Sequence, residues 1–153
     1  MIKIQDDFKE FIGLLNKHRV EYLIVGGYAV AIHSRPKFTE DIDFFINRTK
    51  ENAKKLLEVL DEFGFGELDI SIEDLTNEFK MIQLGFAPLR IDIMNSISGI
   101  DFNTAFQNRA KIDIDEIKDV FFISLADLLK NKKSSSREKD KQDVKWILKY
   151  QKS

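Results

Sequence analysis

The sequence contains no cysteine, which excludes disulfide bonds, thiolate nucleophiles and zinc sites built on cysteine. Only two histidines occur, His18 and His33, and they do not have the spacing of paired metal ligands. The longest apolar run, residues 22–32, is much shorter than the roughly 20 residues that a membrane-spanning helix needs. The first residues have neither the apolar stretch nor the cleavage site of a secretory signal. These absences predict a cytoplasmic protein with no membrane partner.

The composition is that of an ordinary folded domain. The chain has 153 residues, of which 43% are hydrophobic and 33% charged, which is enough for one buried core. We therefore predict a single domain over residues 1–153, with a core up to about residue 122 and closing helices over 123–153. The net charge of −2 argues against non-specific binding to nucleic acid. A basic cluster within residues 130–141 suits either a phosphate-rich ligand or a solvated helix face.

Hydrophobic periodicity predicts alternating helices and strands. Strands are predicted over residues 22–25, 42–46, 79–84 and 89–94, with one or two more within 111–122. Helices are predicted over residues 7–18, 28–33, 50–63 and 101–109. Two closing helices are predicted around residues 125–129 and 144–148, separated by a serine-rich turn over 132–136. The pattern leaves residues 65–75 undecided.

Three aspartates are the candidate catalytic and metal-binding residues. Asp41 and Asp43 flank Ile42 on a predicted strand, so both carboxylates project from the same face. Neighbouring carboxylates repel each other, and a fold keeps such a pair mainly where a cation neutralises it. Asp92 lies between two isoleucines on a later strand, where an unpaired charge is costly. The three acids predict a divalent-metal site; the alternatives are strand-end acids that cap a turn and an ion pair between Asp92 and Arg90.

Gly26 and Gly27 lie between a predicted buried strand and a predicted helix. Glycine permits a tight turn with close approach of the backbone, and the first N–H groups of a helix have no partner within it. A strand, a glycine turn and a helix N-terminus together form a site for phosphate oxygens. The alternative, a purely structural turn, uses the same backbone geometry. A phosphate site beside paired acids is the arrangement needed for phosphoryl or nucleotidyl transfer.

These motifs, in this order, resemble the polymerase-beta-like nucleotidyltransferase superfamily: Gly26-Gly27, then Asp41-Ile42-Asp43, then the distal acid Asp92. The closest resemblance is to its small bacterial branch, which holds minimal nucleotidyltransferases and abortive-infection toxins of toxin–antitoxin pairs. In that branch an arginine and a threonine precede the acid pair, and Arg35 and Thr39 match them. A C-terminal Arg-x-Lys-Asp-x-x-Asp pattern is also typical, and it is present here as Arg137, Lys139, Asp140 and Asp143. The resemblance covers roughly residues 22–146.

The resemblance implies an α+β nucleotidyltransferase fold, with a short mixed sheet flanked by helices and a helical C-terminal tail. It implies an enzyme that transfers a nucleoside monophosphate from an NTP such as ATP to a hydroxyl of tRNA or protein and releases pyrophosphate. Two Mg²⁺ or Mn²⁺ ions would be held by Asp41, Asp43 and Asp92. The nucleotide would contact residues that share the motifs named above, namely Gly26, Gly27, Arg35, Thr39, Lys139 and Asp140, with Lys37 a weaker candidate.

The resemblance leaves the biological role open. As a toxin the protein would have a cognate antitoxin as partner. The alternative is a non-catalytic nucleotide-binding or antitoxin-like regulatory module on the same fold, against which the three intact carboxylates argue.

Overall fold

The computed structural model describes residues 4–36, 39–86 and 89–152. The first half of the chain begins with α1 (Asp6–Lys17), β1 (Tyr22–Val25), α2 (Gly26–His33), β2 (Asp41–Ile46) and α3 (Lys50–Leu60). A π-helical turn (Asp61–Phe65), α4 (Ile72–Thr76) and the strands β3 (Met81–Phe86) and β4 (Leu89–Met94) follow. The last part comprises α5 (Phe102–Gln107), β5 (Ala110–Ile114), β6 (Ile117–Phe122), α6 (Leu125–Lys133) and α7 (Glu138–Tyr150).

In the part of the chain that the structure describes, six strands form one mixed sheet in the order β3-β4-β2-β1-β6-β5. The pairs β1/β2, β3/β4 and β5/β6 are antiparallel, whereas β2/β4 and β1/β6 are parallel. Parallel neighbours need long crossover connections, which here contain the helices. This architecture confirms the predicted α+β class with a short mixed sheet flanked by helices.

A continuous apolar core joins the sheet to helices from both ends of the chain. On α1 the residues Phe8, Phe11, Ile12 and Leu15 are buried, as their helical spacing predicted. All four residues of β1 are buried, because this strand lies in the middle of the sheet. Ile147 of α7 also belongs to this core, so the C-terminal helix packs onto the domain. None of the helices within the described residues is long and apolar enough to cross a membrane.

Most element predictions are confirmed, with differences at their ends. The α2 helix begins at Gly26, two residues before the predicted start, so the two glycines form its first turn. Thr49 caps α3 by accepting a hydrogen bond from the N–H of Asn52. Gly64, with φ 107°, interrupts the helical backbone within the π-helical turn that follows. The predicted hairpin of β3 and β4 is observed, while Ala87 and Pro88 of its connection lie outside the described residues.

The predicted serine-rich turn over residues 132–136 was wrong at its start. The α6 helix continues through Lys133, so that only the four residues 134–137 connect it to α7. The Ser124 hydroxyl caps its first turn, and basic residues in its last turn are favoured by the helix dipole. The undecided segment 65–75 contains α4, which Ser71 and Asp74 begin with a reciprocal capping box.

Candidate functional site

The pairing of β2 with β4 brings the three acids to one face of the sheet. In this parallel register Asp43 lies beside Asp92, and Asp41 lies beside Arg90. Paired residues on neighbouring strands point to the same side, and so do residues two positions apart on one strand. The four side chains therefore share one face and line a cavity of about 490 Å³. The same cavity is lined by Gly26 and Gly27 from α2 and by residues of the two C-terminal helices, namely Asn131, Lys132, Lys139 and Asp140.

Asp43 and Asp92 lie side by side on neighbouring strands and both line this cavity. Burial and the neighbouring charge of Asp92 together raise the pKa of the Asp43 carboxyl to about 7. Burial also raises the pKa of Asp92, against the opposing effect of the Arg90 charge. Each carboxyl group is within hydrogen-bonding reach of the other. Two acids this close cannot both be charged without a neutralising cation.

Asp41 faces a different partner. The Nη2 atom of Arg90 donates a hydrogen bond to Asp41 Oδ2 at 2.8 Å, and Arg90 Nε lies 3.6 Å from Asp92 Oδ1. Both Arg90 Nε and Asp92 Oδ1 are buried atoms without a hydrogen-bond partner. Within the described residues, no three His, Cys, Asp or Glu side chains are grouped so that they could hold a metal ion as they stand. The Asp41 carboxylate is instead paired with Arg90.

The first glycine is required by the acid site itself. Gly26 has φ 66°, a backbone conformation that side chains other than glycine rarely adopt. A Cβ atom at this position would overlap the Asp43 Oδ2 atom, so the backbone approaches the carboxylate as closely as glycine allows. At Gly27 a Cβ atom would lie only 2.8 Å from the Thr39 hydroxyl. The preceding residue, Val25, has no side-chain acceptor, which leaves the first N–H groups of α2 available at the cavity.

We expect the substitution Gly26→Ala to destabilise the protein by about 1–3 kcal/mol, because it combines a left-handed backbone with a steric overlap. The matched control is Gly13→Ala on α1, where nothing lies within 4 Å of the added methyl group. Alanine is favoured over glycine in a helix by about 1 kcal/mol, so this control should be neutral or stabilising. Urea unfolding of both variants measures the difference, and equal stabilities would show that Asp43 does not confine Gly26.

Lys132 is a site residue that the sequence analysis placed in the basic cluster and the predicted turn, but not among the candidate site residues. Its Nζ atom lies 2.9 Å from Asp140 Oδ1 and 3.1 Å from Asp143 Oδ2. The exposed fractions of the three side chains are only 9%, 10% and 4%, so this is a buried ionic cluster. Lys132 also lines the cavity, and its charge opposes the rise in the pKa of Asp43. A signal was present: Lys132 follows buried Leu128 at the helical spacing of four, a core-facing position on α6.

Three further residues predicted to contact the nucleotide lie in or beside the cavity, namely Lys139, Asp140 and Thr39. Lys139 lines the cavity although the residue is exposed, and Asp140 lines it while its carboxylate binds Lys132. Thr39 lies beside Gly27 and donates a hydrogen bond to the Asp41 carbonyl oxygen at 3.1 Å.

The structure does not bring the Arg35 side chain to the acids. Its guanidinium lies over the Tyr150 ring, 4.3 Å from the centroid, and its carbonyl oxygen accepts a hydrogen bond from the Trp146 indole. A cation–π contact of this kind fixes the side chain against the end of α7. Lys37 lies outside the described residues.

Comparisons with known proteins agree with this architecture. Across 93% of its length the chain is similar to a solved structure from Thermotoga maritima, described as a presumed nucleotidyltransferase. The TM-score is 0.61, the sequence identity is 17%, and 91% of that chain is covered, so the likeness concerns the fold. No curated protein matches the sequence. A family model described as "Nucleotidyltransferase of unknown function (DUF6036)" matches residues 1–149. Because this match covers almost the whole chain, the protein belongs to that nucleotidyltransferase family.

Proposed function

We propose that the protein is a metal-dependent enzyme that transfers a nucleoside monophosphate from an NTP to a hydroxyl of tRNA or protein. The proposal rests mainly on one observation: three aspartates and the N-terminus of α2, which begins with two glycines, line the same cavity. Acids alone would suit several metal enzymes, and a helix N-terminus alone would suit many phosphate sites. Their combination on this fold supports transfer of a phosphorus-centred group.

The donor set of the cavity fits Mg²⁺ or Mn²⁺. Both ions prefer carboxylate oxygens, and the buried Asp92 Oδ1 has no hydrogen-bond partner. A cation bound here would offset the repulsion between Asp43 and Asp92, which contributes to the raised pKa of Asp43. Asp41, Asp43 and Asp92 would hold the ions. Bound there, the ions would offset negative charge on the α-phosphoryl group and on the departing pyrophosphate.

The protein groups have separate roles in this proposal. The N–H groups at Gly26 and Gly27 bind the β- and γ-phosphates, and Lys132 and Lys139, which line the same cavity, add positive charge. The acceptor hydroxyl oxygen forms a bond to the α-phosphorus while the bond from that phosphorus to the pyrophosphate oxygen breaks. Asp92 accepts the hydroxyl proton, a role suited to a carboxylate whose pKa is raised.

Labelled nucleotides test this function. The protein is incubated with Mg²⁺, a cell extract and each of the four NTPs, labelled on either the α- or the γ-phosphate. We expect the α-label to appear in a macromolecule and the γ-label to be released in pyrophosphate. Ribonuclease and protease treatment then assign the acceptor to RNA or protein. Transfer of the γ-label would instead indicate a kinase. Absence of label transfer from all four NTPs would favour the non-catalytic nucleotide-binding module.

The resemblance to abortive-infection toxins supports a further part of the proposal, namely that the protein is the toxin of a toxin–antitoxin pair. Its induced expression should then arrest growth, and co-expression of the neighbouring gene should restore it. The Asp43→Asn variant is the control, because it removes an acid of the cavity and should not arrest growth.

A further inference from the structure

Arg90 is the one cation that contacts the carboxylates of β2 and β4 directly among the described residues. The register of β4 with β2 places it beside Asp41, and its own strand places it two residues before Asp92. Its side chain is 36% exposed, so the ion pair with Asp41 is only partly removed from solvent. Three carboxylates without a counter-ion would repel each other strongly in a partly buried site, and Arg90 supplies one positive charge.

We propose that Arg90 is an internal competitor for the divalent cation, a positioning residue that holds Asp41 until metal displaces it. The proposal rests on the metal site proposed above. The guanidinium binds Asp41 Oδ2, an oxygen that a metal ion would use, and its Nε lies 3.6 Å from the unpartnered Asp92 Oδ1. A cation bound between these acids has to take Asp41 from the arginine. The free energy of that exchange lowers the affinity for metal and keeps the site unassembled where metal is scarce.

The contact between Arg90 and Asp41 also explains why the three carboxylates, as described, are not arranged around one position where a metal ion could bind. Asp43 and Asp92 lie side by side on neighbouring strands, while Asp41 accepts a hydrogen bond from Arg90. Metal binding would take Asp41 from Arg90, so removal of Arg90 should leave Asp41 free to join the other two acids.

Binding of Mn²⁺ to the intact protein tests this proposal without reference to activity. Free Mn²⁺ is followed by its electron paramagnetic resonance signal during titration of wild type, Arg90→Gln and Arg137→Gln. We expect Arg90→Gln to bind Mn²⁺ about tenfold more tightly, which corresponds to about 1.4 kcal/mol. Arg137 lines the same cavity, but its ion pair is with Asp140 rather than Asp41. Its substitution removes an equal charge and should change the affinity by less than about threefold, since exposed charges interact weakly.

A double-mutant cycle separates competition from a general effect of charge. In an Asp41→Asn background the carboxylate that Arg90 holds is absent, so adding Arg90→Gln should no longer tighten Mn²⁺ binding. A gain of the same size in both backgrounds would overturn the proposal. Arg90→Lys is the second variant if the glutamine variant does not fold. Lysine keeps the positive charge but lacks the planar guanidinium group. We therefore expect the Mn²⁺ affinity of Arg90→Lys to lie between those of wild type and Arg90→Gln.

The outcomes distinguish this inference from the proposed function. Equal or weaker Mn²⁺ binding by Arg90→Gln, together with loss of binding in Asp43→Asn, would overturn the competition and leave the metal site intact. Absence of Mn²⁺ binding in every variant would overturn both.

Discussion

Replacement of Asp41 and Asp43 together by asparagine is expected to abolish nucleotidyl transfer and the stabilisation of the fold by Mg²⁺ or Mn²⁺. Asparagine keeps the shape of each side chain but removes the charge that a divalent cation requires. Metal ions contribute several kcal/mol to such reactions, and each 1.4 kcal/mol is about tenfold in rate, so the loss should reach at least about 10³-fold.

The same variant separates metal binding from folding. A ligand that binds only the native state raises the melting temperature, so wild type should melt higher with Mg²⁺ than without it. The double variant should melt at the same temperature in both conditions. Glu67→Gln is the control, because Glu67 is exposed and outside the cavity, and it should keep the full response to metal. An undiminished response in the double variant would place the metal elsewhere.

The local part of the fold was readable from the sequence because it depends on short-range patterns. The apolar run of β1 predicted both ends of that strand correctly. The spacing of the apolar residues of α1 predicted which face of that helix is buried. That Asp41 and Asp43 project from the same face likewise follows from the alternation of side chains along any strand. The neighbour of β2 in the sheet does not follow from such patterns. That Asp43 lies beside Asp92 depends on the parallel pairing of strands more than forty positions apart.

Arg35 and Lys132 show where short-range patterns fail. Arg35 was assigned to the nucleotide by its position in a motif, yet contact with Tyr150 at the far end of the chain determines where its guanidinium lies. Lys132 was assigned to a turn because a serine run follows it. The structure places it inside a helix, where Asp140 and Asp143 of the next helix stabilise its charge. In both cases the deciding partner comes from α7, whose docking is a tertiary event.

The ionic cluster of Lys132 leads to the second large expected effect. Burial opposes the charge on Asp140, but hydrogen bonds from Ser135 and Lys132 hold the pKa of its carboxyl below the ordinary value. The substitution Lys132→Met keeps the apolar stem and removes the buried counter-charge. Loss of one partner from a buried ion pair costs about 3–5 kcal/mol, and we expect a loss of this size in urea unfolding. Lys133→Met is the matched control on the same helix, because Lys133 is exposed and its loss should cost less than about 0.5 kcal/mol.

A compensated variant then separates the structural role of Lys132 from its role at the cavity. In Lys132→Met/Asp140→Asn/Asp143→Asn the buried charges are removed together, so most of the lost stability should return. If the Lys132 ammonium itself binds the triphosphate, nucleotide affinity should not return, because this hydrogen-bond donor at the cavity is still absent. Unfolding and NTP titration of the same preparations give both quantities. Recovery of affinity together with stability would show that Lys132 only holds α6 to α7, whereas recovery of stability alone assigns its charge to the triphosphate.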